Sequence, residues 1–232
     1  MTKSNLTNVT ILNNHYSSRS GRNIEKITIH HMAGNLSVET CGELFKQAEA
    51  SANYGIGTDG RIGCYVEEEY RAWSTTNYDN DSRAINIEVA NDVYGGDWHV
   101  SDKALESLIN LCVDICKRYN FKLVYDGTPN GSLTRHNMFM ATVCPGEYLQ
   151  SKFEYITEEV NKRLGTIPEP TEKIKVGDWV IPTVFVDYYG TPVVPYDNKY
   201  KVIELVGDRA VLSPERGGIW AAMNVDDLKK VD

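Results

Sequence analysis

The stretch Thr134–Gly146, T-R-H-N-M-F-M-A-T-V-C-P-G, places His136 and Cys144 in one segment with seven residues between them. Pro145 and Gly146 directly follow the cysteine and break regular structure, so the thiol is expected at a turn. An imidazole and a thiolate presented by one ordered loop suit Zn²⁺, a borderline-soft ion that takes nitrogen and sulfur ligands. The stretch therefore predicts two ligands of a zinc site.

A third ligand is expected from I-T-I-H-H-M-A-G at Ile27–Gly34, where His30 and His31 end an apolar run. The run alternates as a buried strand does, with Ile27 and Ile29 on one face. In open α/β sheets chemistry gathers at strand ends, so the position of the histidines fits a site. Three protein ligands leave one position open for water, which is the arrangement of catalytic zinc.

Four motifs in a fixed order resemble the type-2 N-acetylmuramoyl-L-alanine amidases. They are I-T-I-H-H-M-A-G, S-A-N-Y-G-I-G-T-D-G-R-I, I-N-I-E-V and R-H-x7-C-P-G. Phage endolysins, bacterial autolysins and peptidoglycan recognition proteins share this family's fold. The resemblance covers roughly residues 20 to 165 and implies an α/β domain, with a mixed central β-sheet flanked by helices, which we assign to residues 1–164. It also implies that His30, the first histidine of the pair, binds zinc together with His136 and Cys144.

The segment Ala84–Ala90 carries a candidate general base. Ile85, Ile87 and Val89 alternate with Asn86 and Glu88, so the two polar residues share one face of a strand. A carboxylate between apolar neighbours is costly to bury unless it is bonded or has a task. A glutamate on the solvent side of a half-exposed strand is the simpler alternative. The resemblance favours the base, since a glutamate of this strand faces the attacking water in similar amidases.

The resemblance also assigns Tyr54 and Thr142 to the stabilisation of the developing oxyanion. The residues alone leave Tyr54 equally well explained as a half-buried strand tyrosine. Thr142 lies two residues before Cys144, where the family carries lysine or threonine. A cationic stabiliser is therefore absent at that position.

Three further residues are candidates for substrate binding: His31, Asn53 and Trp73. Adjacent strand residues point to opposite faces, so His31 is expected to face away from the metal and to pack, with an indirect role left open. Trp73 is expected either to line a groove or to pack in the core, because aromatic rings do both.

Composition limits the possible partners. Hydrophobic residues make up 41% of the 232 residues and charged residues 24%, as in ordinary globular proteins. The net charge of −8 shows no sign of the basic face that a nucleic-acid partner requires. The sequence has no apolar run near eighteen residues and therefore predicts no membrane span. The five cysteines are an odd number, and without a secretory signal they argue against a disulfide framework.

A change in sequence pattern marks a second domain. A Pro-bearing linker is predicted at residues 165–173. Residues 174–232 then show short β-rich runs with a hairpin turn at Gly207-Asp208, which predict a small all-β, SH3-like barrel. Such modules hold endolysins and autolysins on the cell wall. Six aromatic residues are candidates for its ligand groove or for its core: Trp179, Tyr188, Tyr189, Tyr196, Tyr200 and Trp220.

The sequence thus predicts a zinc-dependent amidase that cleaves the bond between N-acetylmuramic acid and L-alanine of peptidoglycan, as a phage or prophage endolysin. The alternatives are a catalytically silent peptidoglycan-binding protein and an amidase that recycles soluble muropeptides. The N-terminus, M-T-K-S-N-L-T-N-V-T, lacks the apolar core of a secretory signal. The expectation is therefore synthesis in the cytoplasm and action on the wall after release, through a holin or by lysis. The oligomeric state is left open.

Overall fold

A computed structural model describes residues 2–165 and 174–231 of the chain. The chain divides into two compact units, Met1–Ile167 and Pro168–Asp232. Each unit has its own cluster of buried hydrophobic residues. Apart from Gly165, the predicted linker lies outside the described residues. None of the described helices is both long and apolar enough to cross a membrane.

The first unit alternates short strands with helices. In chain order its elements are β1 (Val9–Thr10), β2 (Tyr16–Ser18), β3 (Lys26–His31), α1 (Val38–Phe45), β4 (Tyr54–Ile56), β5 (Ile62–Cys64), β6 (Tyr70–Ala72), α2 (Tyr78–Asp81), β7 (Ala84–Val89), α3 (Asp102–Tyr119), β8 (Leu133–Arg135) and α4 (Glu147–Leu164).

Six of these strands form one mixed sheet in the order β1-β5-β4-β7-β3-β8. Strands β4, β7, β3 and β8 run parallel to one another, whereas β5 is antiparallel to β4. The predicted mixed sheet flanked by helices is confirmed. Because β3 lies between β7 and β8, the carboxyl ends of all three meet at one edge of the sheet.

The two faces of the sheet differ in chemistry. Ile27 and Ile29 of β3, with Ile85 and Ile87 of β7, belong to the main core, which also contains the buried residues of α3 and α4. Each of these isoleucines is fully buried, and each contributes about 1.5–3 kcal/mol relative to exposure. The intervening residues of both strands carry polar side chains to the other face, as strand alternation requires.

The helices begin where the sequence supplies a cap. Ser37 accepts a hydrogen bond from Thr40 N at the start of α1, and Ser101 accepts one from Ala104 N at the start of α3. A hydroxyl at this position satisfies a backbone N–H that the helix itself cannot. Cys112 and Cys116 lie on the buried stripe of α3, and all five cysteines are buried and unpaired.

The second unit is built from β9 (Trp179–Pro182), β10 (Tyr200–Val206), β11 (Arg209–Pro214), β12 (Ala221–Asn224) and β13 (Leu228–Val231). These strands form an antiparallel sheet in the order β12-β11-β10-β9-β13. The hairpin predicted at Gly207-Asp208 is present between β10 and β11. Strand β13 is an addition to the predicted strands, since L-K-K-V alternates too briefly to be read as one. The unit is all-β as predicted, and the SH3-like barrel stays a prediction.

The aromatic residues of the second unit divide between core and surface. Tyr200 is fully buried, and Trp220 stacks on it with ring centroids 4.0 Å apart. Tyr189 and Tyr196 are 80% and 58% exposed. The two exposed rings remain as candidates for ligand contact, whereas Tyr200 and Trp220 belong to the core.

Candidate active site

Three side chains of the first unit converge at the carboxyl edge of the sheet. His30 is near the end of β3, His136 directly follows β8, and Cys144 lies in the loop before α4. One ligand atom from each lies within 4.8 Å of the other two, and the rings of His30 and His136 are 4.7 Å apart. We refer to these three residues as the His-His-Cys cluster.

The loop that carries Cys144 is held by its own backbone. Asn137 N donates to Cys144 O at 3.2 Å, and Gly146 N donates to Val143 O at 2.7 Å. Gly146 has a φ of +87°, and a Cβ at this position would lie 2.6 Å from Cβ of Trp98. Both the backbone conformation and the close approach require glycine here. The C-P-G sequence therefore fixes the thiol at the cluster.

His30 and Cys144 are buried and His136 is partly buried, and this burial sets the protonation of the cluster. Desolvation lowers the pKa of His30 to about 3 and also lowers the pKa of His136. Both rings are therefore neutral near pH 7, which is the form that binds metal. Burial raises the pKa of the Cys144 thiol, whose Sγ accepts a hydrogen bond from His31 N at 3.4 Å. A bound cation reverses this effect, because a coordinating thiol loses its proton.

These donors fit a zinc ion. Two neutral imidazoles and one thiol match the nitrogen and sulfur ligands that zinc selects. The three ligand atoms lie within 4.8 Å of one another, so these residues would be able to hold one ion together. Nε2 of His136 is also buried without a hydrogen-bond partner among the described residues, and a bound ion or substrate group can satisfy it.

Glu88 lies beside the cluster on β7. It is directly opposite His30 in the parallel register of β3 and β7, and its Oε1 is 4.0 Å from Nδ1 of His30. Its Oε2 is buried without a partner among the described residues. Desolvation raises the pKa of this carboxyl to about 8. A carboxylate with this pKa is suited to take a proton from water near neutral pH.

Thr142 is also close to the cluster. Its Oγ1 accepts a hydrogen bond from Cys144 N at 3.2 Å. The hydroxyl proton is not used in this bond and can be donated to another group.

Tyr54 does not lie at the cluster. It pairs with Ile87 in the register of β4 and β7 and shares the core face of the sheet. Its hydroxyl donates to Oε1 of Glu68 at 2.5 Å and accepts from Ser4 N at 2.7 Å. Strand alternation turns the side chain into the core, so this hydroxyl is engaged by Glu68 and Ser4.

Asn53 and Trp73 are likewise engaged elsewhere. Asn53 is fully buried, where its Oδ1 accepts from Asn86 N at 3.1 Å. Trp73 donates from Nε1 to Oγ of Ser17 at 2.6 Å, and its ring lies 5.7 Å from that of His15. Neither residue lines the cavity at Glu88. Both side chains hold neighbouring segments together.

His31 is placed next to the cluster. Its ring contacts Trp98 edge to face at 4.9 Å. It lines, together with Glu88, a cavity of about 210 Å³. His31 therefore packs against Trp98 at the rim of the site. The remaining lining residues are mainly apolar, and half of them belong to α1: Met32, Leu36, Cys41, Leu44, Phe45 and Ala48.

Two residues at the site had no assigned role in the sequence analysis. Trp98 contacts both His31 and the Gly146 turn, and Tyr94 packs against it edge to face at 5.2 Å. Asn86 lies 3.1 Å from Nε2 of His30 through its Oδ1. The sequence could have indicated Asn86, because the alternation of β7 places it on the same face of the strand as Glu88. A loop tryptophan such as Trp98 gives no such signal.

Comparisons with known proteins agree with this geometry. The family model for N-acetylmuramoyl-L-alanine amidase matches residues 20–147, which is more than half of the chain. No curated protein sequence matches the chain significantly.

Solved structures share the fold. A hydrolase of Staphylococcus aureus, AmiA, solved with its ligand, is 18% identical, with a TM-score of 0.54, and the match covers 71% of this chain and 84% of that one. A mutant endolysin from Bacillus subtilis is 16% identical, with a TM-score of 0.52, and the match covers 67% of this chain and 99% of that one. At these identities the likeness concerns the fold alone.

Proposed function

Because this chain belongs to the N-acetylmuramoyl-L-alanine amidase family and is an enzyme of that class, we propose that it is a zinc-dependent peptidoglycan amidase with its active site at the His-His-Cys cluster. The bond cleaved is the amide between the lactyl group of N-acetylmuramic acid and L-alanine of the stem peptide. The observation that carries the proposal is the convergence of His30, His136 and Cys144 beside the buried carboxyl of Glu88.

Each residue of the proposed site has a separate role in the hydrolysis. His30, His136 and Cys144 would hold the ion, which when bound supplies Lewis acidity to the attacking water and to the substrate carbonyl. Glu88 accepts the proton of the attacking water and delivers it to the leaving amine of L-alanine. Its raised pKa of about 8 suits both transfers. The hydroxyl of Thr142 donates a hydrogen bond to the oxyanion that develops on the carbonyl.

The apolar cavity beside Glu88 supports the recognition of a small, uncharged group. Its volume of about 210 Å³ suits a short segment of the substrate, such as the lactyl methyl and the side chain of alanine. His31 and Glu88 line one part of this cavity and α1 another, so a bound segment would lie next to the proposed base.

The second unit is proposed to hold the enzyme on the cell wall as an SH3-like module. The support is its separate core and its all-β sheet, with Tyr189 and Tyr196 exposed on its surface. A two-unit enzyme of this kind fits a phage or prophage endolysin that reaches the wall after release from the cell. The presence of a wall-binding unit also favours polymeric peptidoglycan over a soluble muropeptide as the substrate.

Mass spectrometry of the products from purified peptidoglycan tests the function. We expect free stem peptides that begin at L-alanine, with intact glycan strands, and no release after treatment with a zinc chelator. The variant Cys144→Ser should lose zinc and release no peptides. The matched control Cys116→Ser removes a buried thiol from α3 and should lower stability while zinc content stays the same.

Two results would change the assignment. Cleaved glycan strands, or peptides cut at an internal bond, would show that the bond is a different one. Zinc-loaded protein that sediments with wall but releases nothing would favour a catalytically silent binding protein.

A further inference from the structure

We infer that Asn86 is a positioning residue, which holds the ring of His30 in the tautomer whose Nδ1 faces the cluster. The inference rests on the proposed metal site and adds a residue to it. His30 offers its two ring nitrogens to different surroundings: Nε2 is 3.1 Å from Oδ1 of Asn86, and Nδ1 is 4.0 Å from Oε1 of Glu88. Since Asn86 occupies Nε2, Nδ1 is the nitrogen left for the ion.

The hydrogen bond decides where the ring carries its proton. A neutral imidazole has one N–H and one lone pair, on opposite nitrogens. When Oδ1 of Asn86 faces Nε2 of His30, the proton must be on Nε2 and the lone pair on Nδ1. If the amide were reversed, its N–H would require the lone pair on Nε2, and Nδ1 would point a proton at the cluster. Only the first orientation is compatible with metal binding.

The position of Asn86 is itself fixed by neighbouring strands. Its backbone N–H donates to Oδ1 of Asn53 at 3.1 Å, and Asn53 N donates to its carbonyl at 3.0 Å. The side chain of Asn53 also reaches the carbonyls of Val66 and Tyr70 through Nδ2. Asn53, a candidate substrate residue from the sequence, therefore holds the strand segment that carries Asn86.

A purely structural role explains Asn86 less well. The residue is fully buried, and its Nδ2 has no hydrogen-bond partner among the described residues. An unpaired buried amide group costs stability, so an apolar side chain would serve packing better. What the amide supplies in return is an acceptor for Nε2 of His30. Such partners of ligating histidines set the tautomer and the orientation of the ring.

Two measurements test the role of Asn86. The first is the zinc affinity of Asn86→Ala and Asn86→Asp, measured by competition with a chromophoric chelator. We expect Asn86→Ala to weaken zinc binding by about 10–100-fold. Asn86→Asp keeps an acceptor of the same shape, so its zinc affinity should stay within about threefold of that of the unchanged protein. The matched control is Thr28→Val, since Thr28 lies opposite Asn86 in the register but bonds Thr134 and Asn80. It should keep its zinc affinity.

The second measurement is the ¹⁵N spectrum of the His30 ring in the metal-free protein, which requires neither activity nor a variant. We expect the proton on Nε2, and a mixture of tautomers in Asn86→Ala. A proton on Nδ1 in the unchanged protein would overturn the inference, and so would unchanged zinc affinity in a folded Asn86→Ala variant. If the unchanged protein binds no zinc, the proposed function loses its metal, but the ring spectrum still decides the role of Asn86.

Discussion

Two glutamates of the first unit, Glu68 and Glu88, show how surroundings decide what a residue does. Glu68 is fully buried and receives hydrogen bonds from Arg118, Tyr119 and Tyr54. Its charge is matched by an arginine, and its oxygens are engaged. Glu88 has no such donors among the described residues, and burial raises its pKa to about 8. The first carboxylate is structural, and the second is available for proton transfer.

The substitution Glu88→Gln tests this difference. We expect peptide release to fall by about 10²–10⁴-fold, because an amide cannot take the proton from water. Zinc content and the unfolding temperature should change little, since glutamine has the same shape and carries no buried charge. The rate is measured by mass spectrometry of released stem peptides, alongside the exposed control Glu69→Gln. Release by Glu88→Gln at the rate of the control would remove Glu88 from the mechanism.

At the scale of elements, the N-terminal segment is fastened to the sheet by a series of hydrogen bonds. Ser4 N donates to the hydroxyl of Tyr54 on β4, and Asn8 N donates to the carbonyl of Ile62 in β5. Strand β1 then adds to the edge of the sheet beside β5. The hydroxyl of Tyr54 therefore takes part in the attachment of this segment, whereas its contact with the substrate carbonyl stays a prediction.

The substitution Tyr54→Phe separates these two roles. It removes a donor to Glu68 and an acceptor for Ser4 N, so we expect a loss of about 1–3 kcal/mol in the free energy of unfolding. Denaturant titration measures this loss. The rate of peptide release per folded molecule should stay within about twofold of the unchanged enzyme. A tenfold lower rate of peptide release by fully folded Tyr54→Phe protein would show that the Tyr54 hydroxyl takes part in catalysis.

The loop after β7 brings two aromatic side chains close to the site. Tyr94 is 82% exposed and packs against Trp98, whose ring contacts His31. Exposed aromatic rings beside an active site can bind sugar rings and stem peptides through their apolar faces.

We expect Tyr94→Ala to raise KM for wall fragments by about 5–30-fold with little change in kcat, because base–acid chemistry at Glu88 is untouched. Steady-state release from soluble disaccharide-peptides measures both constants. The control is Tyr155→Ala, which removes an exposed ring from α4. Equal effects of the two substitutions would show that the Tyr94 ring makes no specific contact.

At the scale of the whole molecule, the two units have separate cores and different architectures. The proposed catalytic residues all belong to the first unit. The exposed rings of Tyr189 and Tyr196 belong to the second. The units are therefore expected to carry separable activities.

A chain ended after residue 167 tests this division. We expect it to cleave soluble muropeptides at a rate within about threefold of the full chain, because each domain folds around its own core. It should no longer sediment with purified wall. Sedimentation and product release are measured on the same preparations. Retention of full wall binding by the shortened chain would assign that binding to the first unit.

The local patterns of the sequence determined most of the fold and the chemical type of the site. Alternation in Ala84–Val89 predicted which residues face the core, and Ser37 and Ser101 marked the helix starts. These features depend on neighbours along the chain, so periodicity and capping reveal them. The residue types at His30, His136 and Cys144 predicted a zinc site for a similar reason, since ligand chemistry is a property of the side chain itself.

Tertiary structure alone decided which distant residues meet. Tyr54 and Asn53 match the family's motif in sequence, yet pairing with β7 turns one into the core and uses the other to hold a strand. Asn86 and Trp98 reach the site only because β3 pairs with β7 and because the 91–99 loop packs on the Gly146 turn. Such contacts join positions far apart in the chain, and they depend on strand register and loop packing, which no local pattern encodes.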